Sequence, residues 1–425
     1  MKALAVFLWG KRVGALAWQE GGQAAFEYDE DFIRSGLEVS PLMMPLSRRI
    51  FRFPELAGTK TFQGLPGVIA DSLPEKFGNR MLDAYLVRHG KRLNDLNPLE
   101  RLCYVGSRGM GALEYEPDLA EDFQKRSVPV EISELVELAR SVLADQNTKR
   151  ARIQDQALTS LISVGTSAGG AKAKAIIAVN DATGEVLSGQ SDVPAGFEHW
   201  ILKFDEVDNE ELATSHQIGR IEYAYNEMAF AAGINVMESR LLPDGNRMHF
   251  MTKRFDRVDG NQKVHVATFA GIAHVDRDPP GSCGYERLFQ TMRELRLGQD
   301  ELNEMFRRMV FNICARNQDD HAKNHAFLMY GDGSWQISPA YDICFSYKPG
   351  NPFIDSHQMS CNGKRDLFVL DDLLAASRAA DVKKPLDIIR QVEDAVRRWN
   401  YFAGEAGIDE AATVGIGSLH RFFLT

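Results

Sequence analysis

Asp319 and Asn324 stand five positions apart in the run Asn317-Gln-Asp-Asp-His-Ala-Lys-Asn324, and this run constrains the fold more than any other stretch of the chain. A helical pattern over residues 301–316 leads into it. The strand-like Trp335-Gln-Ile337 follows, and then Asp342 in Ser338-Pro-Ala-Tyr-Asp342. A rigid helix that stops at the loop would fix Asp319 in space, and the strand would be followed at once by a second carboxylate. An Asp can accept a proton from a hydroxyl. Asn and Asp together offer the hard oxygens that Mg²⁺ prefers.

The same five-position spacing separates the base Asp and the metal-binding Asn of a kinase catalytic loop. There the Asp orients the attacking hydroxyl, the Asn holds a Mg²⁺ that bridges the phosphates, and a later Asp holds the other metal. On that reading Asp319 is the catalytic base, and Asn324 and Asp342 are the metal ligands. Phosphoryl transfer asks little covalent chemistry of a protein, so the remaining need is a grip on the phosphates. Candidates lie upstream. Ser163-Val-Gly-Thr-Ser-Ala-Gly-Gly-Ala-Lys-Ala-Lys174 is small and glycine-rich, and it runs into Ala175-Ile-Ile-Ala-Val179, the pattern of a buried strand. Glycine lets backbone N–H groups approach phosphate oxygens closely. His199-Trp-Ile-Leu-Lys-Phe204 predicts another strand, with Lys203 in its apolar core, where a kinase sets its phosphate-contacting lysine.

Each part also has an ordinary reading. A glycine-rich loop before a strand is more often a plain turn. No helix follows it directly, so it is not a dinucleotide fingerprint, and Ala171 stands where the P-loop pattern requires Lys. A lysine in a strand is more often a solvated edge residue or a snorkelling one. Asp319, Asp320 and His321 could form a helix-end cluster or a metal site, but no second His or Cys stands at zinc spacing. The order of the parts separates these readings. Glycine-rich loop, strand, lysine strand, helix, Asp-x-x-x-x-Asn, strand, Asp is the kinase order, and chance rarely assembles all of it.

These residues resemble the HipA family, the kinase toxins of bacterial toxin–antitoxin pairs, over most of the chain. The most specific matches are Asp319-Asp-His-Ala-Lys-Asn324 and Pro339-Ala-Tyr-Asp342. The Asp-x-His-x-x-Asn form is also similar to lipid kinases of the phosphatidylinositol type. Ser167-Ala-Gly-Gly-Ala-Lys-Ala-Lys174 resembles the family's glycine-rich, autophosphorylated loop, and His199-Trp-Ile-Leu-Lys203 its ATP-lysine strand. Lys253-Arg-Phe-Asp-Arg257 resembles the hinge segment, which grips adenine through backbone groups. The resemblance implies autophosphorylation at Ser167. It implies nucleotide contacts from Gly169, Gly170, Ala171, Lys172, Ala173, Lys174, Lys203, Lys253, Arg254, Phe255, His321, Lys323, Asn324, Tyr341 and Asp342, with ATP and Mg²⁺ as cofactors. In the best-known members a Gln and a Glu stand where Lys172 and Ala173 align. The implied partners are a helix-turn-helix antitoxin (HipB-like), operator DNA reached mainly through it, and a protein substrate. An aminoacyl-tRNA synthetase is the family's best-known target.

The implied fold is α+β: a two-lobed protein-kinase-like (phosphatidylinositol-kinase-like) fold with a β-rich N-terminal module and an all-helical C-terminal lobe. A chain of 425 residues has room for two or three domains. The expected division is a β-rich module over 1–118, a nucleotide-binding lobe over 119–256 and a helical catalytic lobe over 257–425. Ala3–Trp9 and Val13–Trp18 predict a hairpin around Gly10-Lys-Arg12. Helices are predicted near Pro74–His89, Ile132–Ala144, Glu286–Leu295, Glu301–Arg316, Phe368–Ala380 and Leu386–Ala403. Ile221, Ala224, Tyr225, Met228 and Ala232 form a further helical stripe that Gly233 ends. Its Glu222 and Glu227 read as solvated carboxylates, with pairing to Lys203 as the sharper alternative. Arg390, Arg397 and Arg398 read as a solvated face before a phosphate-binding one.

A net charge of −10 argues against a dedicated nucleic-acid binder. Five cysteines without paired spacing suit a reducing cytosol, so a cytoplasmic location is expected. No apolar run is long enough to cross a membrane, and no membrane partner is expected. A small-molecule or lipid kinase would share every catalytic residue, a non-catalytic corepressor would need none of them, and a metal hydrolase built on the Asp/His cluster is the weakest rival.

Overall fold

The computed structural model of the chain describes residues 1–119, 127–144, 172–205 and 217–424. These divide into two compact units. The first gathers Met1–Val39, Leu46–Gly219 and Ser239–Val266; the second gathers Ser40–Pro45, Arg220–Glu238 and Ala267–Thr425. Most of residues 1–118 and of residues 119–256 falls into the first unit, while Ser40–Pro45 and Arg220–Glu238 fall into the second.

The first unit opens on a hairpin of β1 (Ala3–Leu8) and β2 (Lys11–Gln19). Leu4, Val6 and Leu8 alternate inward along β1, the period-2 pattern of a half-buried strand. The turn is Trp9-Gly10, both at positive φ (50° and 73°), one position earlier than Gly10-Lys-Arg12. A two-residue turn with left-handed backbone at both positions matches the twist of its strands, and it leaves Lys11 and Arg12 inside β2. With β3 (Gln23–Tyr28), β4 (Phe51–Arg52) and β5 (Leu113–Glu116) these strands form a five-stranded sheet of order β4-β3-β2-β1-β5.

A second five-stranded sheet of the same unit has the order β7-β6-β8-β10-β9. Its strands are β6 (Lys174–Asn180), β7 (Glu185–Ser188), β8 (Glu198–Lys203), β9 (Ser239–Asp244) and β10 (Arg247–Lys253). Two helices, Lys76–Arg88 and Ile132–Ala144, pack their apolar faces on it. Phe77, Met81 and Leu82 from the first and Leu135 and Val136 from the second share one core with Ile177, Trp200 and Leu202 of the sheet. This shared core is why the contacts do not separate residues 1–118 from the lobe. A small hairpin of β11 (Arg257–Val258) and β12 (Gln262–Lys263) follows. A buried ion cluster precedes it: Asp256 accepts from Arg254 Nε (2.8 Å) and Nη2 (2.7 Å), from Arg257 Nη1 (2.9 Å) and from the Gly111 N–H (2.7 Å).

The strand β13 (His265–Thr268) carries the chain into the second unit. That unit is helical but not all-helical, which corrects the expectation. A hairpin of β14 (Ala326–Met329) and β15 (Trp335–Ile337) stands between the loop of Asp319 and Asp342. Four consecutive buried residues in β14 make a strand the short answer there, since a helix needs more length to pay its nucleation cost. Among the described residues the helices are Phe269–Ala273, Tyr285–Glu294, Gln299–Cys314, Leu370–Ala379, Pro385–Arg397, Trp399–Glu405 and Glu410–Gly417, after Ile218–Ala231, which begins at the unit boundary. The predicted helix Leu386–Ala403 is two helices, broken at Arg398, whose φ of −87° and ψ of 12° leave the helical region. Among the described residues no helix is long and apolar enough to cross a membrane.

Candidate functional site

The sequence-predicted lysines Lys174 and Lys203 belong to the first unit. Lys203 ends β8, and its Cα partners are Lys174 on β6 and Phe250 on β10. Lys174 and Lys203 are both buried, so Lys203 is not a solvated edge residue. Its Nζ lies 5.6 Å from the centroid of the Phe250 ring. Residues directly opposite in an antiparallel pair share a face, and like charges so placed repel. Ala173 is buried and its carbonyl accepts from the Phe204 N–H at 3.1 Å, which continues the β6–β8 pairing. Lys172 is half-buried. Ser167, Gly169, Gly170 and Ala171 lie outside the described residues.

The hinge-like segment starts where β10 ends. The Lys253 ammonium pairs with Glu198 at 2.7 Å. The Arg254 N–H donates to the His199 carbonyl at 2.9 Å, and its guanidinium is buried against Asp256. Arg254 is thus tied through both backbone and side chain, while Phe255 is half-buried. Burial alone would push the Asp256 carboxyl up; Arg254 and Arg257 outweigh it and hold the group far below the usual carboxylate range.

Asp319, Asn324 and Asp342 belong to the second unit. The helix Gln299–Cys314 is buried along most of its length and stops just short of the loop. Arg316 turns the chain at a φ of 56°. Asp319 then stands with its side chain half exposed, and His321 Nε2 lies 3.8 Å from its Oδ1. Asn324 ends a short 3-10 turn, Ala322–Asn324, and its Nδ2 donates to the Asp319 carbonyl at 2.6 Å. Lys323 is half-buried, and its carbonyl accepts from the Tyr341 hydroxyl at 2.6 Å. Tyr341 immediately precedes Asp342, whose φ of 53° is a left-handed conformation that Asp tolerates better than most residues. The loop and the Asp342 segment are therefore directly bonded to each other. Among the described residues no three His, Cys, Asp or Glu side chains gather to hold a metal by themselves.

Asp320, which the sequence left in a cluster with Asp319 and His321, faces the opposite way. It is buried and accepts from the Tyr285 hydroxyl (2.8 Å), His357 Nδ1 (2.9 Å), the Gln358 N–H (2.8 Å) and the Met359 N–H (3.4 Å). Burial pushes its carboxyl up, but His357 and the Tyr285 hydrogen bond prevail and hold it below the usual value. The partners lie 35 to 39 positions away, so no local pattern could have found them. Glu222 corrects a second expectation: it is buried, not solvated, because the stripe of the helix Ile218–Ala231 is wider than its apolar residues suggest. Glu227 is half-buried, and burial raises its pKa.

Two family models match the chain: the HipA N-terminal domain over residues 4–116 and the HipA-like C-terminal domain over residues 166–399. The second alone spans more than half of the sequence. The chain belongs to the HipA family. Its fold is similar to that of HipA from Shewanella oneidensis MR-1, solved with HipB and its operator DNA. The TM-score is 0.67 at 18% identity, over 98% of this chain and 95% of that one. A Sinorhizobium fredii chain, Y4dM, whose name marks it as a candidate kinase, is 27% identical over 195 residues. That match covers 41% of this chain and 46% of Y4dM, so it spans less than half of the relative's length. The Helicobacter pylori proinflammatory kinase CtkA aligns with a TM-score of 0.34 at 14% identity, too low to bear on the fold.

Proposed function

We propose that this HipA-family chain is an ATP-dependent kinase that phosphorylates a serine or threonine hydroxyl of a host protein. The observation that carries the reading is the clasp between Asn324 Nδ2 and the Asp319 carbonyl. With its nitrogen so engaged, the amide of Asn324 has its oxygen left to face a cation. An amide oxygen from Asn324 and a carboxylate from Asp342 are the hard donors that suit Mg²⁺. When bound, Mg²⁺ supplies neutralisation of the phosphate charge. Asp319, half exposed beside that clasp, accepts the proton of the acceptor hydroxyl and orients its oxygen. Lys203 and Lys174 supply positive charge for the phosphates from the buried face of their sheet. His321, Lys323 and Tyr341 frame the loop; Lys253, Arg254 and Phe255 form the adenine-facing hinge.

The division of labour follows the three segments 1–118, 119–256 and 257–425, the first an accessory module and the other two the nucleotide and catalytic parts. We further propose that the kinase is a growth-arresting cytoplasmic toxin restrained by a helix-turn-helix antitoxin. The support is family membership and the company of HipB and operator DNA in the Shewanella complex. An acidic chain would reach an operator mainly through a basic partner. Ser167 is the proposed autophosphorylation site, and an aminoacyl-tRNA synthetase is a proposed target class.

Expression of the chain alone tests the reading. Growth should arrest, the arrest should vanish in Lys203→Ala and Asp319→Gln cells, and a neighbouring helix-turn-helix protein should relieve it. Arrest that persists in both variants overturns the kinase reading. Purified protein with Mg²⁺-ATP should label a protein acceptor; label on a metabolite or lipid headgroup instead would move the acceptor class, and mass spectrometry of the product locates phosphate at Ser167 or elsewhere.

A further inference from the structure

The second unit contains a one-way chain of hydrogen bonds that ends on Asp320. The Cys344 N–H donates to Asn317 Oδ1 at 3.5 Å, and Asn317 Nδ2 donates to Asn312 Oδ1 at 2.9 Å. Asn312 Nδ2 donates to the Tyr285 oxygen at 3.0 Å, and the Tyr285 hydroxyl donates to Asp320 Oδ2 at 2.8 Å. All five residues are buried. Cys344 comes two positions after Asp342, and Asp320 comes next after Asp319. The chain therefore joins the backbone just after Asp342 to the side chain of the residue that follows Asp319. Every donor in it points toward the Asp320 carboxylate, which also takes His357 Nδ1 and the N–H groups of Gln358 and Met359.

We propose that Asp320 and Tyr285 are positioning residues that set where Asp342 stands relative to Asp319. The inference rests on the kinase reading only for its catalytic consequence. A carboxylate accepts at both oxygens, so it fixes which way each link must face. The Tyr285 hydroxyl must donate to it, which leaves the phenol oxygen to accept from Asn312. Asn312 must then turn its oxygen to Asn317, and Asn317 its oxygen to Cys344. Replacing the acceptor by a donor at the head of the chain reverses each amide in turn, until Asn317 presents an NH₂ to the Cys344 N–H. Two donors then face each other in a buried place, an unfavourable contact that is relieved by letting Cys344 move. Displacing Asp342 by a fraction of an ångström would be felt in turnover.

The test uses the full chain and residue-resolved amide hydrogen exchange. Tyr285→Phe takes away the acceptor of Asn312 Nδ2, so nothing fixes the sense of Asn312 and Asn317 and the Asn317 oxygen is no longer held on the Cys344 N–H, while Asp320 stays on His357, Gln358 and Met359. Exchange at Cys344 should rise at least about 10-fold in this variant, with Gln358 and Met359 at wild-type protection. Asp320→Asn should speed all three. Calorimetry should show Mg²⁺-ATP bound about 10-fold more weakly by Tyr285→Phe, with metal-free ATP unchanged. Wild-type protection at Cys344 in Tyr285→Phe overturns the relay. Faster exchange there with unaltered Mg²⁺-ATP affinity overturns the positioning role and leaves a structural link. A wild-type chain that binds no Mg²⁺-ATP overturns the proposed function instead, and the exchange experiment still decides the relay.

Discussion

Two buried carboxylates, one in each unit, satisfy the same number of donors in opposite ways. Asp256 sits between two guanidinium groups, with one backbone N–H completing its shell. Asp320 takes a phenol, an imidazole and two backbone N–H groups. The first arrangement neutralises charge with charge and draws its partners from the hinge and from Gly111, so it is a strut. The second directs dipoles along a chain of side chains, so its geometry carries information from one loop to another. A buried ion pair is insensitive to which way neutral groups face, whereas a run of amides and hydroxyls has a sense that can be reversed. The difference places the rigid device beside the lysine sheet and the orienting device beside the half-exposed Asp319.

The largest expected effect touches neither carboxylate. Asp319→Gln should lower phosphoryl transfer by about 10³-fold while the unfolding midpoint stays put, because a half-exposed side chain contributes chemistry and not packing. Radiolabel transfer and a melting curve on the same sample check it, and a matching loss of stability would blur the distinction between Asp319 and its buried neighbour. Next comes the strut. Asp256→Ala leaves two guanidiniums facing each other without their anion and should destabilise the fold by about 3–5 kcal/mol in denaturant titration. A loss below about 1 kcal/mol would mean that water or other acceptors replace Asp256, and the contrast with Asp320 would fail.

A smaller effect concerns pH. Burial lowers the pKa of His325 to about 4, and burial does the same to His265 in the first unit. The unfolded chain takes up a proton on each near pH 6.5, while the folded chain refuses it down to about 4. Stability should therefore fall as pH drops through that window, and either His→Gln variant should flatten the slope by about one proton. Equal slopes in wild type and His325→Gln, measured by denaturant midpoints from pH 7 to 4, would show that the imidazole is already protonated when folded. Smallest of all is Arg390→Ala. Its 3.5 Å contact with Asp387 joins two side chains that are mostly exposed, so the unfolding midpoint should not move measurably. A clear shift would give that helix face a role beyond solvation.

The sequence made much of this legible where the controlling interactions are local. Leu135, Val136 and the rest of Ile132–Ala144 announce their helix through periodicity, and the structure gives the same bounds. The short apolar runs before and around Lys203 become β6 and β8 because β-branched and aromatic residues suit a pleated, buried surface. The turn at Trp9-Gly10 and the break at Arg398 were misplaced by a residue or were invisible, since backbone conformation at one position leaves little mark on hydrophobic pattern.

The sequence by itself determined the chemistry on offer: an Asp and an Asn at catalytic-loop spacing, a later Asp, a lysine inside an apolar strand, and an order of parts that resembles one family. Those are properties of residue type and short separation along the chain. Only the tertiary structure decided that Asp319 turns outward while Asp320 turns in, that Lys174 stands opposite Lys203, and that Glu222 is buried. It also decided that Cys344, Asn317, Asn312 and Tyr285 pass hydrogen bonds in one direction. Most of these depend on groups tens of residues apart along the chain meeting in space, and no periodicity encodes such a meeting.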